Sequence, residues 1–287
     1  MLDVFLLLLL AYILRSFGFF EKEHAKVFVN YVVYLSLPAL SFKSAHNLGL
    51  SWDVVKIALV AWGSIISCLV ISFPLGRALG LKGETLRSFM LSSSFGNTAF
   101  LGYPYTLSYF GQEGLKYAVI YDSLGSFLMV SSVGVMLSRG SINLKEVFLF
   151  PPFLGLLFGF LLRDFAIPKP LESFIDLFSA SLSPVVLFAM GISISLSGIN
   201  RRLKSIVPAI LIKMGFSEIV AYLLCFLLRV ENLPFKVSVL QASMPTMVMA
   251  GVLSLRYGLD YDLAFASAGL GLLLSFFIVP TLLHFII

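Results

Sequence analysis

Two apolar stretches of the chain are interrupted by proline, glycine and short polar side chains, at corresponding places in its two halves. They read LSSSFGNTAFLGYP (91–104) and LQASMPTMVMAG (240–251). Pro104 and Pro245 each remove a helical N–H and clash with the preceding turn, so each stretch predicts a broken helix. Lipid cannot satisfy the freed backbone groups, which must face protein, water or a ligand. Paired broken helices of this kind are typical of substrate sites at the membrane midplane.

The polar side chains near the two breaks carry no charge. If both helices break at the midplane and cross, two helix N-termini point at one place and favour an anion without any Lys or Arg. The freed carbonyl groups would instead hold a cation such as Na⁺. Simple proline kinks, with serines bonded back to their own helix, are the structural alternative. The candidate binding residues are Asn97, Thr98, Tyr103, Pro104, Gln241, Ser243, Pro245 and Thr246.

Three ionisable residues fall inside apolar segments: Asp122, Lys213 and Glu218. Charges at membrane depth are costly and usually face a cavity or a partner. Lys213 and Glu218 are five positions apart, about 140° round a helix, and therefore do not pair well with each other. Asp122 and Lys213 lie at comparable depth if their segments are neighbours. The three residues are therefore interpreted as a structural ion pair, a proton relay or an electrostatic guide for a substrate.

Composition predicts an all-α polytopic membrane protein embedded in the lipid bilayer. The 287 residues are 59% hydrophobic and 12% charged, against about 25% charged in a soluble domain. Uncharged apolar runs of about 20 residues recur, and each is long enough to cross a bilayer. The net charge of +5 is explained by basic loops, because no Lys/Arg run is dense enough to bind nucleic acid.

Ten apolar segments follow one another with short, charged connections. Their approximate bounds are 2–19, 25–45, 53–78, 85–109, 114–138, 146–163, 170–196, 204–229, 235–256 and 261–286.

The two halves of the chain resemble each other. Pro38 in the second segment and Pro184 in the seventh are 146 residues apart, each followed four positions later by phenylalanine. A constant offset of about half the chain indicates a duplication. Since each half holds five segments, the second half must insert upside down. The sequence therefore predicts an inverted 5+5 repeat, with residues 1–141 in the first and 142–287 in the second.

The distribution of basic residues predicts the orientation. Twelve Lys and Arg residues lie in or near the odd-numbered loops and seven in the even-numbered ones. The odd loops are therefore predicted to be cytoplasmic, with both termini outside, in the cell's inner or plasma membrane.

The residue inventory argues against an enzyme. His24, His46 and His284 all fall near segment ends, so no Ser–His pair lies at membrane depth. No His/Glu cluster is available to hold zinc, and Cys68 and Cys225 cannot build a disulfide framework or a metal site. We therefore predict no catalytic residue, no metal and no cofactor.

Three motifs follow one another along the chain: FVNYVVYLSLPAL (28–40), NTAFLGYP (97–104) and QASMP (241–245). Together they resemble the signatures of the second, fourth and ninth helices of the auxin efflux carrier family. That family includes plant auxin exporters and prokaryotic relatives described as carriers of malonate or other organic anions. The ninth-helix motif departs from the family in its Met-Pro-Thr sequence, and the long hydrophilic loop of many plant members is missing here. Auxin is therefore not carried over as the substrate.

The resemblance implies a fold and a mechanism. Helices 1, 2, 6 and 7 would form a scaffold, and helices 3–5 and 8–10 a transport domain with helices 4 and 9 crossed. By similarity, a substrate carboxylate would lie at the crossing near Asn97, Thr98 and Pro245, transport would be of the elevator type, and a homodimer would form through the scaffold.

Three functions remain in view from the sequence. The first is a secondary carrier of a small organic anion, such as an auxin-like carboxylate or a dicarboxylate. The second is a Na⁺-coupled symporter of the bile-acid type, although the crossing motifs contain no Asp or Glu. The third belongs to a different class: a membrane sensor or scaffold that never transports.

Overall fold

The computed structural model of the protein describes residues 2–47, 52–139, 149, 151–193 and 199–286. These residues form helices and no β-strand. Six of the described helices are long and apolar enough to cross a membrane, which confirms the all-α polytopic class. The count of ten helices and the inverted repeat remain predictions, since the boundary at 141/142 lies outside the described residues. The six helices are Ala25–Lys43, Trp52–Ala78, Gly102–Arg139, Lys169–Ile192, Arg202–Leu228 and Tyr261–His284.

The first half of the chain contains seven described α-helices, several of them joined through π-helical turns. The long run from Gly102 to Arg139 changes direction at Gly111, whose φ of 62° and ψ of −163° are non-helical, between the predicted fourth and fifth segments. Glycine adopts a positive φ without the steric cost that a Cβ brings. The helices are α1 (Leu2–Ser16), α2 (Ala25–Tyr31), α3 (Leu37–Asn47), α4 (Trp52–Ala78), α5 (Gly83–Ser94), α6 (Gly102–Ile120) and α7 (Val135–Arg139), with π-helical turns at Val32–Ser36, Tyr121–Phe127 and Val130–Gly134 and a 3-10 turn at Lys22–His24.

The second half contains seven more described helices. In the predicted sixth segment, 146–163, the described residues form an apolar helix of 11 residues, Pro151–Leu161. The helices are α8 (Pro151–Leu161), α9 (Lys169–Ser193), α10 (Ile199–Ile210), α11 (Ser217–Leu228), α12 (Asn232–Ala242), α13 (Val248–Arg256) and α14 (Tyr261–Ile286), with a π-helical turn at Leu211–Phe216 between α10 and α11.

The chain divides into two compact units. Unit 1 comprises Met1–Trp52, Ala99–Val119 and Lys145–Ile194. Unit 2 comprises Asp53–Thr98, Ile120–Leu144 and Ser195–Ile287. The first broken stretch is therefore shared: its residues up to Thr98 belong to unit 2, and the rest belong to unit 1.

Unit 1 is held together by close helix packing at glycines. A Cβ built on Gly155 of α8 would lie 2.4 Å from the carbonyl oxygen of Pro38 in α3, and one on Gly159 would lie 2.4 Å from that of Phe42. A Cβ built on Gly191 of α9 would lie 2.5 Å from the carbonyl oxygen of Leu8 in α1. Small residues let helices approach closely where lipid provides no hydrophobic driving force.

Unit 2 contains the paired polar stretches and a polar network at the start of its last helix. Asp260 precedes α14 and accepts a hydrogen bond from the Leu263 N–H at 3.2 Å, so it caps that helix. Its other oxygen accepts hydrogen bonds from Arg202 and from Thr85, at 3.3 Å for Thr85. An aspartate at this position satisfies an N–H of the first turn and favours the helix start. The network therefore joins α5, α10 and α14.

Replacing Gly155 with alanine tests the contact between α3 and α8. The added methyl group would meet the Pro38 backbone, and such overpacking costs about 1–3 kcal/mol. We expect the Tm of the purified protein in detergent to fall. Gly215→Ala is the matched control, because nothing lies within 4 Å of its added Cβ. Equal Tm values for Gly155→Ala and the wild type would contradict this packing.

Candidate functional site

The first break lies between α5 and α6. Helix α5 ends at Ser94, and Phe95 is extended, with φ −103° and ψ 118°. Helix α6 begins at Gly102. Pro104 therefore lies in the first turn of α6, where its missing N–H leaves no helical hydrogen bond unmade. The sequence-based expectation that Pro104 interrupts the helix is wrong in this detail: the interruption precedes it, at residues 95–101.

The second break lies between α12 and α13. Helix α12 ends at Ala242, and the chain leaves it through Ser243, whose φ and ψ are −81° and −5°. Met247 is extended, with φ −69° and ψ 143°, and precedes α13. Pro245 lies inside the non-helical link, where it cannot donate to a helical ladder. Here the proline acts as the sequence predicts.

The two breaks pair with each other through their backbones. The Asn97 N–H donates to the Pro245 carbonyl at 2.7 Å, and the Met247 N–H donates to the Phe95 carbonyl at 3.0 Å. Gly96 and Thr246 face each other in an isolated antiparallel bridge. Two N–H and two C=O groups that the helices cannot use are thereby satisfied by each other. The predicted juxtaposition of the two broken stretches is present within unit 2.

Side chains add a second set of bonds at the pairing. Thr246 donates its hydroxyl to the Ser92 carbonyl in the last turn of α5, at 2.6 Å. Ser243 donates to Leu240 of its own helix at 2.7 Å, and Ser93 bonds back in the same way to Phe89 at 2.7 Å. The alternative reading of the serines, as groups bonded to their own helices, is therefore realised for Ser93 and Ser243.

Polar residues at the pairing are deeply buried. Asn97 is only 5% exposed. Gln241, in the last turn of α12, is fully buried. Thr98 donates its hydroxyl to a carboxylate oxygen of Asp122 at 2.5 Å. Thr98 and Asp122 are therefore hydrogen-bonded to each other next to the first break. The backbone N–H of Asn97 bonds to the carbonyl of Pro245, three residues before α13 begins at Val248.

Lys213 lies against both breaks. It is 2% exposed, and its ammonium donates to the Ala242 carbonyl at 2.6 Å and to the Ser217 hydroxyl at 3.3 Å. A Cβ built on Gly96 would lie 2.6 Å from Lys213 Cε. Lys213 donates to Ala242 and Ser217, and Asp122 accepts from Thr98. The predicted ion pair between Lys213 and Asp122 remains a prediction. Sequence analysis gave no sign of the Gly96 contact.

Glu218 makes none of the hydrogen bonds named above, although its charge interacts with that of Lys213. It is half-buried and lines an open groove with residues of α14, namely Phe277, Ile278, Thr281 and Leu282. A role of Glu218 in a proton relay remains a prediction.

Tyr103 and Pro104 belong to unit 1, where Tyr103 lines a cavity of about 210 Å³. The cavity is also lined by Lys43 and Asp176, whose side chains form an ion pair at 2.6 Å. The same pair lines a second cavity of about 100 Å³. Lys43 lies two residues before the end of the predicted segment 25–45 and was counted with the basic residues in or near the loops. The structure places it in α3, and its position at a segment end hid this role.

Six described helices, long and apolar enough to cross a membrane, together with two paired backbone breaks, are typical of a polytopic membrane transporter. The chain belongs to the membrane transport protein family, whose sequence pattern matches residues 1–283. This confirms the resemblance of its motifs to the auxin efflux carrier family. The family identity also confirms a transporter and not an enzyme.

Three relatives match the chain along nearly its whole length. An uncharacterized transporter of Methanothermobacter thermautotrophicus is 28% identical over 97% of this chain and 95% of its own. One of Methanocaldococcus jannaschii is 30% identical over 93% and 91%. A Rhizobium meliloti protein with the name "Putative malonate transporter" is 25% identical over 89% and 85%.

Replacing Thr246 with valine tests the side-chain bond across the pairing. The change keeps the shape but leaves the Ser92 carbonyl without this donor, which costs on the order of 1 kcal/mol. We expect a lower Tm in detergent. Thr281→Val is the matched control, because Thr281 is exposed and its hydroxyl donates to the Phe277 carbonyl of its own helix at 2.7 Å. An unchanged Tm for Thr246→Val would remove this bond from the account.

Proposed function

We propose that the protein is a secondary carrier of a small organic anion, which it moves by alternating access of the elevator type. The observation that carries the proposal is the backbone pairing of the two breaks at Asn97 and Met247. The pairing fixes the backbone of the buried residue Asn97 against Pro245, shortly before the start of α13. Such a site binds an anion through fixed dipoles and needs no mobile cationic side chain.

Within the site we assign the carboxylate of the substrate to Asn97 and to the N-terminal end of α13. The N-terminus of a helix carries about half a positive charge, which attracts an anion. Thr98 holds Asp122, so we assign it to positioning the first break. Gln241, Ser243, Pro245 and Thr246 shape the second break. Tyr103 and Pro104 lie at the start of α6, the helix that follows the first break.

The division into units supports a moving and a static part. Unit 2 contains the residues that pair across the two breaks together with most of the predicted transport helices, and unit 1 contains predicted helices 1, 2, 6 and 7. The segment Ala99–Val119 differs from the expectation, because it groups with unit 1. We propose that unit 2 carries the site and that unit 1 is the scaffold and the dimer surface. Cytoplasmic odd-numbered loops and outside termini, in the cell membrane, complete the proposed topology.

The substrate class that we propose is a short carboxylate, with a dicarboxylate as the first candidate. One relative has malonate in its name. The unit 1 cavity supports this class, because Lys43 offers it a cation beside Asp176. The two side chains are 42% and 47% exposed, and an ion pair so exposed is worth about 0–1 kcal/mol. An incoming carboxylate can therefore take the place of Asp176 at little cost.

Uptake of radiolabelled malonate into liposomes tests the function. We expect Asn97→Ala to lower uptake by about ten- to a hundredfold, because a hydrogen bond to a charged group is worth about 1.5–3 kcal/mol. The variant should still be folded by gel filtration. Asn30→Ala, which changes an exposed asparagine of α2, is the control with wild-type uptake.

The same assay separates the three functions. A carrier without Na⁺ coupling gives equal uptake with and without a Na⁺ gradient, whereas a symporter of the bile-acid type requires the gradient. Binding of organic anions without any flux would indicate a sensor and would overturn the proposal. Wild-type uptake in Asn97→Ala would remove Asn97 from the site.

Replacing Lys43 with glutamine tests whether the cation of the unit 1 cavity attracts the substrate. Loss of the cation should raise the KM for malonate several-fold with little change in the maximal rate, since a positive charge raises the local concentration of an anion. The effect should shrink at high salt. Lys116→Gln is the matched control, because Lys116 forms a comparable pair with Glu113 at 2.7 Å in the same unit. Equal KM values in both variants would rule out this role for Lys43.

A further inference from the structure

Lys213 is a buried cation in the part of unit 2 where the helices are broken. Its residue is 2% exposed and lies in the π-helical turn Leu211–Phe216. A charged side chain at such depth is costly in a membrane protein and needs specific partners. The question is therefore what holds this ammonium group in place.

The partners of Lys213 are backbone groups of the second break. Its ammonium donates to the carbonyl of Ala242, the last residue of α12, at 2.6 Å. The C-terminus of a helix carries about half a negative charge, so a cation there is stabilised. The Ser217 hydroxyl, one turn further along the same helical run, accepts a second hydrogen bond at 3.3 Å.

The same side chain lies against the first break. A Cβ built on Gly96 would lie 2.6 Å from Lys213 Cε, 3.0 Å from its Nζ and 3.3 Å from the Met244 carbonyl oxygen. Gly96 is the residue that faces Thr246 in the backbone bridge. One ammonium group therefore lies beside the bridged residue of one break and the helix end of the other.

In carriers with broken helices, exposed carbonyls and helix C-termini coordinate the coupling cation. Here a carbonyl of that kind already has an ammonium group that is covalently part of the chain. We propose that Lys213 is a tethered cation that takes the place of a mobile coupling ion. It positions the end of α12 against Gly96, and the carrier works without Na⁺. This inference rests on the proposed function for its transport aspect only.

The proposal predicts what happens when the tether is cut. Lys213→Ala removes the charge and leaves a space into which a small alkylammonium ion fits. Lys213→Met removes the charge and fills the space. Gly96→Ala displaces the side chain by its added methyl group. We expect all three variants to have a lower Tm than the wild type and at least about tenfold less malonate uptake.

The test compares Tm and uptake in n-propylammonium chloride, sodium chloride and choline chloride at equal ionic strength. We expect n-propylammonium to raise the Tm of Lys213→Ala and to restore part of its uptake, but to change neither for Lys213→Met. Wild-type values should be the same in all three salts. Because n-propylammonium restores the contacts of any lysine at this position, the comparison of the wild-type protein in sodium and choline salts tests whether Lys213 takes the place of a mobile ion.

Three results would overturn the proposal. They are a wild-type protein that needs Na⁺ for its Tm or its uptake, full uptake by Lys213→Met, and a folded Lys213→Ala that n-propylammonium does not stabilise. If Lys213→Ala does not fold, the wild-type salt comparison and the Lys213→Met uptake still decide. A wild-type protein that moves no malonate in any salt counts against the proposed function, while the Tm comparison remains a valid test of the tethered cation.

Discussion

The structure of unit 2 depends on one requirement: backbone groups freed by a broken helix inside a membrane must find partners in the protein. The Asn97 and Met247 N–H groups meet this requirement by donating to Pro245 and Phe95 across the two breaks. An unpaired amide in an apolar medium costs several kcal/mol, so two breaks that satisfy each other are far cheaper than either alone. The pairing explains how interrupted helices are stable at this depth.

The pairing also determines which side chains surround the breaks. Gly96 faces Thr246 in the bridge, and the absence of a side chain at Gly96 leaves space for Lys213. Asp122, of opposite charge, reaches the first break through Thr98. A cation and a carboxylate thus lie near one short stretch of irregular backbone, each held by a neutral polar group.

Much of this arrangement was predictable from local sequence, and the rest was not. Composition and apolar runs gave the all-α membrane class, and proline and glycine located the break around Pro245. Pro104 misled, because proline in the first turn of a helix reads the same as proline in its middle. The partners of Lys213 and the ion pair of Lys43 with Asp176 depend on contacts between residues far apart in the chain, which no local pattern encodes. The register that places Gly96 opposite Thr246 is unpredictable for the same reason.

The most direct test of the backbone pairing is a solid-state NMR distance in lipid, between ¹³C-carbonyl proline and ¹⁵N asparagine. The chain contains no Pro–Asn dipeptide, so no directly bonded pair obscures the signal. The pairing predicts one carbonyl carbon within about 4 Å of one asparagine nitrogen, from the Asn97–Pro245 hydrogen bond of 2.7 Å. Asn97→Gln should abolish the signal. Its absence from the wild-type protein would contradict the account.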